Sequence, residues 1–344
     1  MWIMAVTVGD IARRAGTSVT TVSRVINARG PVAQSTARRV REAMEELGYA
    51  RSTLLEAVRH PLVACCVPVL PEHWQLEVMG RVSDALQQMG MLTASPAIGP
   101  DLGEVEAVAA AGASLVVTPT FTPVRVRLPV VRFAEAAEAA EGRPRGDGRP
   151  AGGGEHAAHS GERIAARIDL TGGLSMAFDH LAKMGHRRIG LICNDSGTLA
   201  DQLQDRFLSE HPMALLSERL PDWIARVPKS ASGGTEAALT LKDRTCTAVI
   251  VQSGRQLYGV VKGIAARGLA VPRDLSVVGL GDSPTVRYIR PPATVLGFDT
   301  EALAEALTAG VRTALGAPGP GLPSVPPTFR PMLLARRSTT AVQR

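Results

Sequence analysis

Val19, Thr20 and Arg24 are the residues of this chain best suited to reading another molecule. They lie in Ser18-Val19-Thr20-Thr21-Val22-Ser23-Arg24-Val25-Ile26-Asn27, where Val22, Val25 and Ile26 recur at helical spacing. Thr20, Thr21, Ser23, Arg24 and Asn27 then fall on the opposite face. A guanidinium presents two N–H donors that match O6 and N7 of guanine, a contact worth about 1–3 kcal/mol of discrimination. Thr20 can hydrogen-bond a base edge or press its methyl group on thymine, whereas Val19 can only pack. Thr7, Ser18, Thr21, Ser23 and Asn27 are short polar groups suited to phosphate oxygens. Plain solvent exposure accounts equally well for Thr21 and Ser23.

No comparable constellation supports catalysis. His180 and His186 flank one helix end, but Gly185-His186-Arg187-Arg188 reads as a helix stop leading into a strand. No nucleophile, base and orienting group surround them. Glu155, His156 and His159 could suggest a metal site, yet they sit in a Gly-rich run without a third firm ligand. Cys65, Cys66, Cys193 and Cys246 lack zinc-ligand spacing, and three of them fall in apolar runs where cysteine acts as a small hydrophobe. The expectation is a chain with no catalytic residue, no metal and no cofactor.

The readers need a rigid support, and the flanking residues supply one. Thr7 followed by Asp10 is a capping-box-like start, and Val8, Ile11, Ala12 and Ala15 form an apolar helical face. Gly16 ends this helix, because glycine tolerates the left-handed conformation cheaply. Ser18 caps the second helix, and Gln34 to Leu47 forms a third, with Ala37, Val40, Ala43, Met44 and Leu47 inward. Two helices joined by a tight turn, the second bearing small polar residues and an Arg outward, fit a helix-turn-helix; an ordinary helical hairpin is the alternative. Residues 1–60 hold nine Arg against five acids, so most of the chain's net +6 lies in its first sixth. That is where phosphates would be met.

The remainder alternates strand-length apolar runs with helical patterns. Leu62–Val69, Ser114–Thr118, Pro129–Phe133, Arg188–Cys193, Cys246–Val251 and Leu275–Leu280 read as buried strands. Helices are expected over Leu76–Met89, Gly172–Met184, Ser232–Lys242 and Gln256–Arg267, which implies α/β architecture with parallel sheets. Hydrophobic residues make up 45% of the chain, which suits globular domains, while no twenty-residue apolar run suggests a membrane span. The opening Met-Trp-Ile-Met lacks the features of a signal peptide, so a cytoplasmic location is expected. Ala134–Arg163 is Ala/Glu-rich and then Gly/Arg/Pro-rich, and reads as a disordered surface loop.

Residues 6 to 49 resemble the DNA-binding headpiece of the lactose-repressor (LacI/GalR) family of bacterial transcriptional regulators. The pattern runs through Val6-Thr7, Asp10-Ile11-Ala12, Ala15-Gly16, Ser18, Thr21 to Asn27, Thr36 to Val40 and Leu47-Gly48-Tyr49. The likeness continues through Asp169, Gly172-Gly173 and Gly185 to Gly190. Val271 to Gly279, Pro291-Pro292 and Arg336 to Thr339 carry it further. It implies an all-α helix-turn-helix headpiece at 1–50, a hinge at 51–61 and an effector-binding and dimerisation domain at 62–337. That domain would comprise two periplasmic-binding-protein-like subdomains, about 62–166 with 289–317 and about 167–288 with 318–337, followed by a tail at 338–344.

The resemblance also implies a dimeric regulator, most simply a repressor, on a pseudo-palindromic double-stranded operator, controlled by a sugar-like or divergent small molecule. In the hinge, Leu55 and Val58 would meet the minor groove; Val58 stands where the family has leucine, so a smaller kink is expected, and Glu56 is unfavourable near phosphates. The effector positions match Trp74, Arg206, Ser253 and Asp282, with few other polar groups converging. Trp74 fits a core role as well as a cleft one. A regulator without an effector or with a protein partner, and a solute-binding module without DNA binding, are the alternatives.

Overall fold

The computed structural model describes residues 8–26, 32–47, 61–99, 103–121, 124–136, 161–211 and 220–342. The chain divides into two compact units, residues 1–60 and 61–344. In the first, helices α1 (Val8–Ala15), α2 (Val19–Ile26) and α3 (Gln34–Glu46) enclose a small core. Ile11, Ala12, Ala15, Val22, Val40 and Ala43 are buried there, and Val25, Met44 and Leu47 pack against them. Gly16 takes φ +61°, and the Thr17 N–H turns back to the Ala12 carbonyl at 3.0 Å. Only a residue without Cβ closes the helix this way without strain. Ser18 Oγ then accepts the Thr21 N–H at 3.1 Å, an N-cap worth about 1 kcal/mol.

Among the described residues the second unit contains two six-stranded open sheets. The first is built from β1 (Leu62–Cys65), β3 (Leu92–Ala94), β5 (Ala113–Thr118), β6 (Val130–Glu135), β7 (Glu162–Ile168) and β13 (Thr328–Phe329), in the order β3-β1-β5-β6-β7-β13 and parallel throughout. The second comprises β8 (Ile189–Asn194), β9 (Ile224–Val227), β10 (Ala248–Val251), β11 (Ser276–Gly279), β12 (Thr294–Gly297) and β14 (Met332–Leu334). Its order is β9-β8-β10-β11-β12-β14, with only β14 antiparallel. Runs such as Ala-Val-Ile-Val in β10 are buried at every residue, as strands covered on both faces must be. A two-residue pair, β2 (Val67–Pro68) with β4 (Ala97–Ile98), extends beyond β1.

The helices follow the crossovers: α4 (His73–Gln88), α5 (Gly103–Ala110), α6 (Leu170–Lys183), α7 (Thr198–Glu210), α8 (Ala231–Asp243), α9 (Gly254–Ala266), α10 (Pro284–Tyr288) and α11 (Thr300–Leu315). In each sheet the strand order reverses beside its first strand, at β1/β5 and at β8/β10. The carboxyl ends there form the crevice where such folds take ligands.

Three features differ from the sequence-based expectation. The expected loop at 134–163 is narrower, because Ala134 and Glu135 complete β6 while Glu162 and Arg163 open β7. Arg132 and Glu162 join these strands through a 2.6 Å ion pair, and 137–160 lie outside the described residues. The partition between lobes also shifts. β7 keeps Ile168 in the first sheet, β12 pairs with β11 and β14 in the second, and β13 returns to the first. Lastly, residues 338–342, expected as a tail, are docked on the second sheet. Ser338 is fully buried and accepts the Thr294 N–H at 2.7 Å. His186 Nε2 meets the Thr340 carbonyl at 2.9 Å and His180 Nε2 the Thr339 hydroxyl at 3.0 Å. These two histidines anchor the chain end.

Helices α8 and α9 cross closely enough to require glycine. A Cβ on Gly259 would lie 1.9 Å from the Ala231 carbonyl oxygen, which belongs to backbone and cannot give way locally. Gly259→Ala is expected to destabilise by at least the about 1–3 kcal/mol of ordinary overpacking, read as a lower urea midpoint. His211 provides a second test. It is buried among Phe178, Phe207 and Trp223, with Nε2 against the Ile189 carbonyl at 3.0 Å. Burial pushes its pKa down to about 4 despite that carbonyl. The folded chain therefore refuses a proton that the unfolded chain accepts below about pH 6.5. Its contribution is complete above that pH and is lost as pH falls toward 4, by about 3 kcal/mol in all. His211→Phe should flatten this part of the stability–pH profile, measured by denaturant midpoints from pH 7 to 4.

Candidate functional site

On the first unit, α2 presents the residues assigned to base reading. Val19 is 53% exposed, an unusual position for a branched apolar side chain, and Thr20 and Arg24 are exposed beside it. Arg13, Arg14 and Arg38 are paired with Asp10, Glu46 and Glu42. Arg24 has no ion-pair partner among the described residues. Ser18 and Thr21 are exposed or half-buried and share a 2.9 Å hydroxyl contact, and Ser23 is exposed. Thr7, Asn27, Leu55 and Val58 lie outside the described residues, as does the remainder of the hinge at 51–60.

On the second unit, a cavity of about 600 Å³ opens between the carboxyl ends of the two sheets. Leu70, Ile98, Phe121, Leu170, Leu199 and Leu280 are among its apolar walls. Its polar lining includes Glu72, Gln75, Arg125, Asn194, Gln202 and Gln252. Trp74 also lines it but is only 5% exposed, with ring centroids 5.5 Å from Phe298 and 6.1 Å from Phe121. The tryptophan is a core residue whose edge forms part of the wall.

The other three assigned residues are not among those lining this cavity. Arg206 pairs with Glu210 at 2.6 Å on the same helix. Ser253 is 1% exposed and caps α9, its Oγ accepting the Arg255 N–H at 3.2 Å. Asp282 receives both nitrogens of Arg336, at 2.9 and 2.8 Å, and Arg287 Nε at 2.9 Å. Burial pushes the Asp282 carboxyl up, but the Arg336 and Arg287 guanidiniums outweigh it and hold its pKa below the usual value. Ser253 and Asp282 are spent on the fold, whereas Arg206 Nε is buried with no hydrogen-bond partner among the described residues.

Sequence reading missed a clasp formed by residues 70–72. Lys229 Nζ donates to the Leu70 carbonyl at 2.7 Å and pairs with Glu72 Oε1 at 2.7 Å. Arg255 donates to the Pro71 carbonyl at 3.0 Å, and the Gly254 N–H points to Glu72 Oε2 at 3.3 Å. A strap entering α4 of the first lobe thus grips the second lobe at two places, and both ionic partners line the cavity. No local motif signals a pair so distant in sequence. Asn194 and Gln252 were findable, since both sit where a strand of the second sheet ends. Gln252 Oε1 accepts the Asn194 N–H at 2.8 Å, joining the ends of β8 and β10.

Two chemistries are disfavoured. The four cysteines are buried, and burial pushes their thiols up to about 12 for Cys65, Cys66 and Cys246 and about 11 for Cys193. They are protonated and inert at neutral pH. Among the described residues no group of three or more His, Cys, Asp or Glu could hold a metal, and Glu155, His156 and His159 lie outside them. No helix among the described residues is long and apolar enough to cross a membrane.

Residues 7–52 match the model for bacterial regulatory proteins of the lacI family, and residues 178–340 that of a periplasmic binding protein-like domain. The chain is 28% identical over 350 residues to the HTH-type transcriptional regulator MalR of Streptomyces coelicolor, covering 98% of both proteins. It is 24% identical over 312 residues to the lactose operon repressor of Escherichia coli, covering 87% of this chain and 82% of the repressor. Among solved structures it resembles the transcriptional regulator CelR–cellobiose complex, at 23% identity, TM-score 0.58 and coverage of 97% and 99%. The Lac repressor dimer bound to operator and an anti-inducer gives 20% identity, TM-score 0.59 and coverage of 98% and 99%.

If the clasp couples the lobes, Glu72 and Lys229 should be energetically linked. A double-mutant cycle with Glu72→Gln and Lys229→Met is expected to give a coupling of about 1 kcal/mol or more, above that of exposed pairs such as Arg38–Glu42. Calorimetric or denaturant unfolding of the four chains measures it.

Proposed function

The chain belongs to the LacI/GalR family of bacterial transcriptional regulators, and from that premise we propose how it performs this role. It is a homodimeric repressor that reads a pseudo-palindromic operator with one α2 per half-site and answers to a small molecule held between its lobes. The carrying observation is the exposed face of α2, where Val19 and Arg24, the latter with no ion-pair partner among the described residues, stand on a helix fixed by a packed core. Arg24 reads guanine, Val19 packs against a thymine methyl and Thr20 serves either need. Thr7, Ser18, Thr21, Ser23 and Asn27 hold phosphates, while Leu55 and Val58 of the hinge meet the minor groove.

The protein works in the cytoplasm and catalyses no reaction, consistent with buried, protonated cysteines and histidines committed to anchoring the chain end. Control by a small molecule is favoured over control by a protein partner alone, because the cavity has the size of a ligand site. Selection of the full chain on random duplex DNA at physiological salt tests the reading. A pseudo-palindromic motif with guanines at symmetric positions is expected. Arg24→Ala should lose that preference at a cost of about 1–3 kcal/mol per contact. Binding without sequence preference, unchanged in Arg24→Ala, would sink it.

A further inference from the structure

We propose that the inter-lobe cavity takes a small organic acid, an aromatic or branched aliphatic body ending in a carboxylate, rather than a neutral polyol. The inference rests on the reading of this cleft as the effector site and specifies its ligand. Its basis is which polar groups in the cavity wall are still free. Glu72, the one carboxylate lining it among the described residues, is bound to Lys229 and faces the Gly254 N–H. Lys229 is held by Glu72 and the Leu70 carbonyl. Gln75 is committed at both ends, Nε2 to the Pro119 carbonyl at 2.9 Å and Oε1 to the Glu72 N–H at 2.8 Å.

What remains is rich in donors. Gln252 is nine-tenths buried, and Asn194 N–H fixes its Oε1, which leaves its NH2 without a partner among the described residues. Gln202 and Arg125 line the same cavity, also without partners among them. Asn194 Oδ1 is a buried acceptor with no donor among the described residues. The charges sum in the same direction: Glu72 and Lys229 cancel, and Arg125 leaves one positive charge. Every hydroxyl of a polyol brings a donor that needs an acceptor, and this wall has no uncommitted carboxylate among the described residues to take it. A carboxylate only accepts, and suits a guanidinium flanked by amide donors. The apolar walls, with the Trp74 edge and Phe121 among them, suit the body of such a molecule.

The test is thermal-shift and calorimetric titration of the full chain. The probes are phenylacetate, 4-hydroxybenzoate and isovalerate, their matched carboxamides, and the uncharged sugars maltose and cellobiose. At least one acid should bind about tenfold more tightly than its amide, the expected yield of a charge-assisted contact. Arg125→Met, at an exposed position, should erase that preference without changing the melting temperature of the free protein, and Arg125→Lys should restore much of it. Failure of all three acids, equal binding of acid and amide, or binding of a sugar with no acid binding would each overturn the proposal. DNA selection is read separately. A chain that binds an acid but shows no operator preference retires the regulator reading and keeps the acid site, and the converse result does the opposite.

Discussion

Two aspartates at the lobe crossings hold the larger unit in register. Asp169 follows β7, accepts the Gly172 N–H at 2.8 Å and so starts α6. Its own N–H is held by the Phe329 carbonyl at 2.9 Å, which ties the first crossing to the last. Asp299 follows β12 and does the same for α11 through the Ala302 N–H at 3.0 Å. Each carboxylate satisfies a donor that would otherwise be orphaned at a helix start, and fixes where one sheet ends and the next element begins. With the crossings pinned, the carboxyl ends of both sheets turn to one crevice. The cavity, its amide lining and the clasp all depend on that arrangement.

How much of this was legible in the residues depended on how local the cause was. The headpiece was readable because its logic is short-range: Gly16 stops a helix, Ser18 caps the next, and Val22 and Val40 recur at helical spacing. The parallel sheets were readable from continuous apolar runs such as Ala248–Val251. β7 was partly missed, since Glu162 and Arg163 look like loop residues until Arg132 takes up the glutamate from another strand. The lobe boundaries shifted because sheet membership is set by hydrogen-bond ladders, and β12 and β13 are too short to declare their partners.

The cleft was the least legible part for the same reason. Asp282 resembles a free ligand-binding carboxylate in the sequence, yet Arg336, 54 residues onward, occupies both its oxygens. Ser253 was similarly claimed by a helix cap, and Arg206 in part by a helical ion pair. Conversely, Glu72 and Lys229 carry no motif and matter because folding brings them together. Motif matching finds residue types, whereas the free hydrogen-bonding capacity of a site is what its neighbours leave over.

The clasp has a further consequence. Glu72 and Lys229 line the cavity and also hold the lobes together, so the lining of the cavity and the joint between the lobes share the same pair of side chains. The stiffness of that joint is set partly by residues outside the cavity wall. Arg255 grips Pro71 yet does not line the cavity. Arg255 thus helps to hold the lobes without contributing to the chemistry of the cavity wall. The mechanical joint between the lobes and the lining of the cavity are therefore partly separable, so a substitution can alter one and leave the other unchanged.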